Sequence, residues 1–148
     1  CTACGTNLSN ERFQELISRE KQESRIRRPK IEQVVCGWNH ISVLYNNGRV
    51  LSVEDGKYGL GKTCEWRAME TIAAGYNLTL GIQRGGRVFA VGESDEGQCE
   101  VDNWSSIEAV AAGRFHSLGV RSGGTLAVTG ELPANNEQIR TWSGGNGY

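Results

Sequence analysis

Apolar side chains come round along this chain at a fixed spacing. Val34, Ile72 and Val110 lie 38 positions apart, as do Leu44, Ile82 and Val120, and Val50, Val88 and Leu126. Gly37, Gly75 and Gly113 keep the same offset, and so do Gly48, Gly86 and Gly124, and Trp66, Trp104 and Trp142. Self-similarity at a period of about 20–50 residues marks a repeat architecture, in which each unit buries its apolar face against its neighbour. The period divides the chain into repeats at about 31–68, 69–106 and 107–144.

Each unit contains three stretches of strand character, at 69–74, 78–83 and 87–91 in the middle repeat. The second and third are separated by Arg84-Gly85-Gly86, matched by Asn46-Asn47-Gly48 and Ser122-Gly123-Gly124, and the glycines supply the positive φ that tight hairpins need. The first and second are joined by glycine-led turns, Gly37-Trp38-Asn39, Gly75-Tyr76-Asn77 and Gly113-Arg114-Phe115. Small residues crowd the end of the first stretch, as in Ala73-Ala74-Gly75 and Ala111-Ala112-Gly113, which suits a place where several sheets converge. The predicted fold is therefore all-β: β-propeller blades, three repeats forming an incomplete ring, with a short N-terminal helix. A parallel β-solenoid is the rival, but its coils are shorter and do not need a glycine hairpin in every unit.

Residues 1–30 stand outside the period and form a separate N-terminal segment, ahead of the repeats at 31–148. Cys1-Thr2-Ala3-Cys4-Gly5 has the C-x-x-C-G spacing that brings two thiolates to one tetrahedral zinc, and resembles half of a zinc ribbon. Cys36, Cys64 and Cys99 fall inside the repeats and do not supply a second knuckle, so Cys1 and Cys4 are an incomplete metal site. No cofactor is expected, save zinc if the ribbon is completed upstream. Ser9 reads as an N-cap, with Leu8 stapled onto Phe13 and an apolar stripe of Phe13, Leu16 and Ile17 ending before Pro29. Arg25, Arg27, Arg28 and Lys30 make a short basic run, read as a solvated linker in preference to an anion-binding one.

The net charge of -1 conceals an asymmetry. Residues 1–30 carry seven Lys or Arg against four acids, and residues 31–148 carry nine against thirteen, giving +3 and −4. An acidic repeat body disfavours phosphate binding. No apolar run reaches the roughly 18 residues of a membrane span, and five cysteines at irregular spacing are not a disulfide framework. A cytoplasmic, reducing compartment is expected.

The run Ala73-Ala74-Gly75-x-x-x-Thr79-Leu80-Gly81-Ile82-x-x-Gly85-Gly86-Arg87-Val88-x-Ala90-Val91-Gly92, with Glu96-Gly97-Gln98-Cys99 beyond it, resembles a bacterial repeat of the regulator-of-chromosome-condensation type. Ala111-Ala112-Gly113-Arg114-Phe115-His116-Ser117-Leu118-Gly119-Val120 carries the histidine-serine pair typical of that family. The resemblance covers residues 31 to about 131, and the short period is closer to the propeller-type β-lactamase inhibitor proteins of bacteria than to longer eukaryotic repeats. It implies a propeller used as a binding scaffold, with family activities from nucleotide exchange on a GTPase to enzyme inhibition. Repeat one departs most, with Val43 in place of Gly81 and Gly119, and Glu54 in place of Gly92 and Gly130.

No enzyme motif is present: neither P-loop, nucleophile elbow, H-E-x-x-H nor dinucleotide fingerprint. His40 and His116 share a column with Leu78, so they read as buried, hydrogen-bonded structural residues. The tryptophan column reads as packing between blades. The expected function is non-catalytic protein binding through rim loops carrying Asp55, Lys57 and Tyr58, Asp95 and Glu96, and Asn135 and Asn136. The alternative is a nucleic-acid-associated regulator in which a completed ribbon and the basic run make the contact. Propellers close with roughly 4–8 blades, so three leave apolar flanks that self-association or a partner chain is expected to cover.

Overall fold

The computed structural model describes residues 28–54 and 56–132, together with residues 14, 15, 18 and 139. The chain divides into two compact units, Cys1–Lys30 and Ile31–Tyr148. In the first, Gln14, Glu15 and Ser18 are helical and exposed; the predicted cap at Ser9 and the stripe of Phe13, Leu16 and Ile17 lie outside the described residues.

In the second unit, nine strands form three separate three-stranded antiparallel sheets among the described residues. Blade 1 is β1 (Ile31–Cys36), β2 (His40–Tyr45) and β3 (Val50–Glu54); blade 2 is β4 (Met69–Ala74), β5 (Leu78–Gln83) and β6 (Arg87–Gly92); blade 3 is β7 (Ile107–Ala112), β8 (His116–Arg121) and β9 (Leu126–Gly130). Each is a meander in sequence order. These are the blades the period predicts, with two additions: the third strand of blade 2 runs on to Gly92, and a 3-10 turn, Leu60–Glu65, links blade 1 to blade 2. Each first strand also carries a bulge, at Glu32, Glu70 and Glu108, where one residue is gained against the partner strand.

Strand alternation divides the side chains of a blade between its two neighbours. In β2 and β3, His40, Ser42, Leu44, Val50 and Ser52 are buried towards blade 2. Ile41, Leu51 and Val53 point the other way and are exposed. The middle strand of blade 2 is buried on both faces from Leu78 to Ile82, because a blade covers each side. One apolar cluster, with Leu44, Val50, Trp66, Met69 and Ile72, joins blades 1 and 2. A second, with Leu78, Leu80, Ile82, Val88, Trp104 and Ile107, joins blades 2 and 3. Each large aliphatic side chain so buried contributes about 1.5–3 kcal/mol relative to exposure.

The tryptophans explain two glycines. Trp66 and Trp104 are buried, and a Cβ placed on Gly81 or Gly119 would come within 2.7 Å of the respective indole. Each ring thus packs directly on the glycine of the middle strand of the blade that follows it. Blade 1 has Val43 in the glycine column, and the position 38 residues before Trp66 is Arg28, not tryptophan. Where no indole occupies the space, a branched aliphatic residue stands instead. Trp142 lies outside the described residues.

At the hairpin end the blades are tied by main chain. Met69 N donates to Gly48 O and Ile107 N to Gly86 O, both at 3.0 Å. Ala68 and Ser106, one repeat apart, take positive φ values of 57° and 56° to make this connection, a conformation that costs a non-glycine residue about 1 kcal/mol. Their equivalence shows that the strain belongs to the junction and not to either sequence.

Candidate functional site

Strand direction sorts the connections into two groups. The glycine-led turns between first and second strands and the loops that leave the third strands fall at one end of every sheet; the hairpins fall at the other. Main-chain bonds join the first group: Glu93 N donates to Asn77 O at 2.9 Å, and Glu131 N to Phe115 O at 2.8 Å. The predicted rim-loop residues Lys57, Tyr58, Asp95 and Glu96 therefore share an end with the turns at 37–39, 75–77 and 113–115. Asp55, Asn135 and Asn136 lie outside the described residues.

At this end the second residue of each glycine-led turn enters a stack. Trp38 and Tyr76 lie with ring centroids 5.3 Å apart and planes 22° from parallel. The Arg114 guanidinium sits 4.5 Å from the Tyr76 centroid and 4.7 Å from that of Phe115. Residues 38, 76 and 114 occupy one column of the repeat, so the ladder is the period made visible in side chains. Its spacing is set by backbone: Trp38 N donates to Tyr76 O at 2.9 Å, and Tyr76 N to Gly113 O at 3.2 Å. Glycine is required beside it, because a Cβ on Gly37 would meet His40 and Gly75 O, and one on Gly75 would meet Gly113 O. One face of Trp38 rests on Tyr76, and the residue is nevertheless 69% exposed. Exposed ring–cation contacts of this kind stabilise by about 0.5–1 kcal/mol, enough to order the rungs without closing them off.

The charges around the ladder are mostly negative. Glu54, Glu93, Asp95, Glu96 and Glu131 are at this end among the described residues, against Lys57 and Arg114. Glu54 accepts the N–H groups of Tyr58 and Gly61, at 3.3 and 3.2 Å, and so shapes the first rim loop. Glu93 accepts from Asn77 Nδ2 at 2.8 Å and ties the second loop to the turn beneath it. Asp95 and Glu96 are exposed.

The histidines are in different settings. His40 is 4% exposed, and its Nε2 lies 2.9 Å from Thr79 Oγ1 on blade 2. From there a chain of buried hydroxyls runs through Ser42 (3.1 Å) and Ser52 (2.7 Å) to Thr63, whose Oγ1 donates to Ser52 at 2.9 Å. Nδ1 of His40 has no partner. Burial pushes the His40 pKa below its ordinary value, with the nearby Glu54 charge pulling in the opposite sense. His116 is half-buried, which departs from the buried setting expected for both histidines; among the described residues no further blade covers it. In the second junction the column of His40, Ser42, Ser52 and Thr63 reads Leu78, Leu80, Ala90 and Val101. There the facing Ser117 Oγ donates instead to Gln98 O at 2.7 Å.

Cys36 and Cys64 are exposed free thiols and Cys99 is half-buried, its Sγ donating to Glu93 O at 3.3 Å. Burial raises the Cys99 pKa, against a smaller opposing effect of a hydrogen bond with Ser94. Cys1 and Cys4 lie outside the described residues, and among the residues described no three His, Cys, Asp or Glu side chains converge on a metal position. Nor is any described helix long and apolar enough to cross a membrane.

No protein-family model and no curated protein matches the chain. Solved structures do match in fold. Prp20p from Saccharomyces cerevisiae, whose binding properties to Gsp1p and histones are described with its structure, aligns with a TM-score of 0.61 at 21% identity, over 79% of this chain and 36% of its own. The ectodomain of the receptor kinase CR4 from Physcomitrella patens aligns at 0.60 and 24% identity, over 72% and 30%. Human WBSCR16 aligns at 0.59 and 18% identity, over 69% and 33%. The chain thus spans about a third of the propellers it matches, and its three sheets are blades of that fold, of the kind seen in yeast RCC1 (Prp20).

Proposed function

We propose that the chain is a non-catalytic protein-binding scaffold whose binding surface is the loop-bearing end of its blades. The observation that carries this reading is the ladder: a 69% exposed tryptophan held in register by its own repeat. A rigid, ordered aromatic side chain loses little freedom when a partner covers it, which is why tryptophan and arginine dominate binding energies at interfaces. Binding of Gsp1p and histones by Prp20p is in keeping with a propeller that presents loops to proteins. A catalytic role draws no support from His40, whose neighbours are hydroxyl groups sealed between two blades. Nor does contact with nucleic acid draw support from this end, where acids outnumber bases and would repel phosphate.

The open flanks bear on partners as well. Val34, Ile41, Leu51 and Val53 on blade 1 are 47–68% exposed, and Val120 on blade 3 is 36% exposed. We propose that further blades cover both flanks, from a second copy or from a partner chain.

A photoreactive residue tests the surface. Placed at Asp95 in the native cell, it is expected to capture a protein, whereas the same group at Asn47 on the hairpin end captures none. Capture from Asn47 alone, or of nucleic acid alone from Asp95, overturns the proposal.

A further inference from the structure

Resting on that binding-scaffold reading, we propose that the segment received at the loop-bearing end is a basic, arginine-bearing peptide, one guanidinium of which stacks on the open face of Trp38. The molecule itself supplies the precedent. In the column of residues 38, 76 and 114, two rungs are aromatic rings and the third is a guanidinium, lying 4.5 Å from the Tyr76 centroid. A ring in this ladder therefore accepts a guanidinium on its face. Trp38 offers the next such face at the blade 1 end of the stack, since one side of the indole is taken by Tyr76 and the residue is 69% exposed. Indole is the strongest of the side-chain rings in attracting a cation.

The charge around the ladder selects among the ligands that a flat ring accepts. A nucleobase stacks on tryptophan equally well, but its phosphates would meet Glu54, Glu93, Asp95, Glu96 and Glu131, with Lys57 and Arg114 as the opposing cations. The same carboxylates draw a cationic peptide in and hold its neighbouring basic residues. Between the two basic side chains, arginine is favoured. Its planar, weakly hydrated guanidinium stacks on a ring while its edge still donates hydrogen bonds to a carboxylate, and the compact lysine ammonium does not combine the two.

The test uses the whole chain and three labelled probes: a nine-residue peptide alternating Arg with Gly, its Lys counterpart, and a thymidine oligonucleotide of nine residues. Binding is followed by fluorescence anisotropy at low and moderate salt. The Arg peptide is expected to bind about fivefold more tightly than the Lys peptide, a difference of about 1 kcal/mol. Trp38→Ala removes that preference, leaving both peptides equal, and Trp38→Phe keeps part of it. Asp95→Asn with Glu96→Gln weakens both peptides alike. Trp38 lies outside both apolar clusters, so its variants keep the circular dichroism of the parent. Equal affinity for the two peptides in the parent chain overturns the proposal, as does an Arg preference that survives Trp38→Ala, or tighter binding of the oligonucleotide. Failure here combined with protein capture from Asp95 sinks the arginine assignment alone. Absence of capture sinks the scaffold reading beneath it.

Discussion

Replacing Thr79 by Val puts the two blade junctions in competition as explanations of stability. The threonine hydroxyl lies 2.9 Å from His40 Nε2 and 3.1 Å from Ser42 Oγ, all three groups being buried. Valine keeps the volume and removes both bonds. Ser42 retains Ser52 at 2.7 Å, but His40, whose Nδ1 is already without a partner, is left with no hydrogen bond to its ring. Stranding one buried polar group costs about 1–3 kcal/mol, so a loss of about 2–3 kcal/mol is expected. The second junction shows how to avoid that cost. Changing His40→Leu, Ser42→Leu, Ser52→Ala, Thr63→Val and Thr79→Ser together copies Leu78, Leu80, Ala90, Val101 and Ser117. Four members of the polar network are then gone, and the hydroxyl kept at position 79 is expected to donate to the carbonyl of Leu60, one repeat before Gln98, as Ser117 donates to Gln98 O. With nothing left stranded, this fivefold variant is expected to fall within about 1 kcal/mol of the parent. Urea unfolding followed by tryptophan fluorescence measures both, Trp66 lying in the cluster that joins the same two blades. If the fivefold variant is less stable than Thr79→Val, the hydroxyl chain is a packing requirement and the argument from stranded groups is wrong.

Three further outcomes follow from the geometry. Because burial lowers the folded-state pKa of His40, the unfolded chain takes up the proton first: stability is full above about 6.5, the ordinary histidine value, and declines as pH falls below it. Chemical denaturation across that range should lose this slope in His40→Leu; a slope unchanged by the substitution refutes the assignment. Gly81→Val should destabilise by more than about 2 kcal/mol, since its Cβ meets the Trp66 ring at 2.7 Å, and adding Trp66→Ala should recover part of the loss; thermal melts showing simple additivity count against the indole–glycine pairing. Alkylation mapped by mass spectrometry at pH 8 should modify exposed Cys36 and Cys64 well before half-buried Cys99, whose thiol burial holds protonated, and equal rates would contradict that.

The fold was legible because one period fixes several things at once. Glycine at 48, 86 and 124 announces the hairpins, and the apolar columns at 34, 44 and 50 announce which faces are covered. The 3-10 turn at Leu60–Glu65 was not legible, since its stretch reads Leu-Gly-Lys-Thr-Cys-Glu, without a helical stripe, and is held by Glu54 from the preceding strand. The ladder was only half legible. Trp38, Tyr76 and Arg114 stand in one column, yet the column changes chemistry from ring to guanidinium, and whether such residues touch depends on the angle between blades. A period in sequence carries no angle. The hydroxyl chain escaped notice for another reason: Ser42, Ser52, Thr63 and Thr79 belong to different columns, and although Ser42 and Ser52 pair within blade 1, the chain is completed only when the linking turn brings in Thr63 and blade 2 brings in Thr79.

The junction between blades has two unlike halves. The face of the middle strand that carries Leu44 or Leu80 meets the first strand of the following blade, never its own kind. Such a contact is heterologous, so any blade joining at Ile41 and Val53 or at Val120 must enter in the same rotational sense. Every added glycine-led turn then lands at the end already occupied by Trp38, Tyr76 and Arg114. Growth of such an assembly would multiply valency on one side and leave the hairpin side bare. A ligand bearing several cationic side chains would meet the second rung at the effective concentration set by its own tether, and would be released far more slowly from a joined arc than from a single chain.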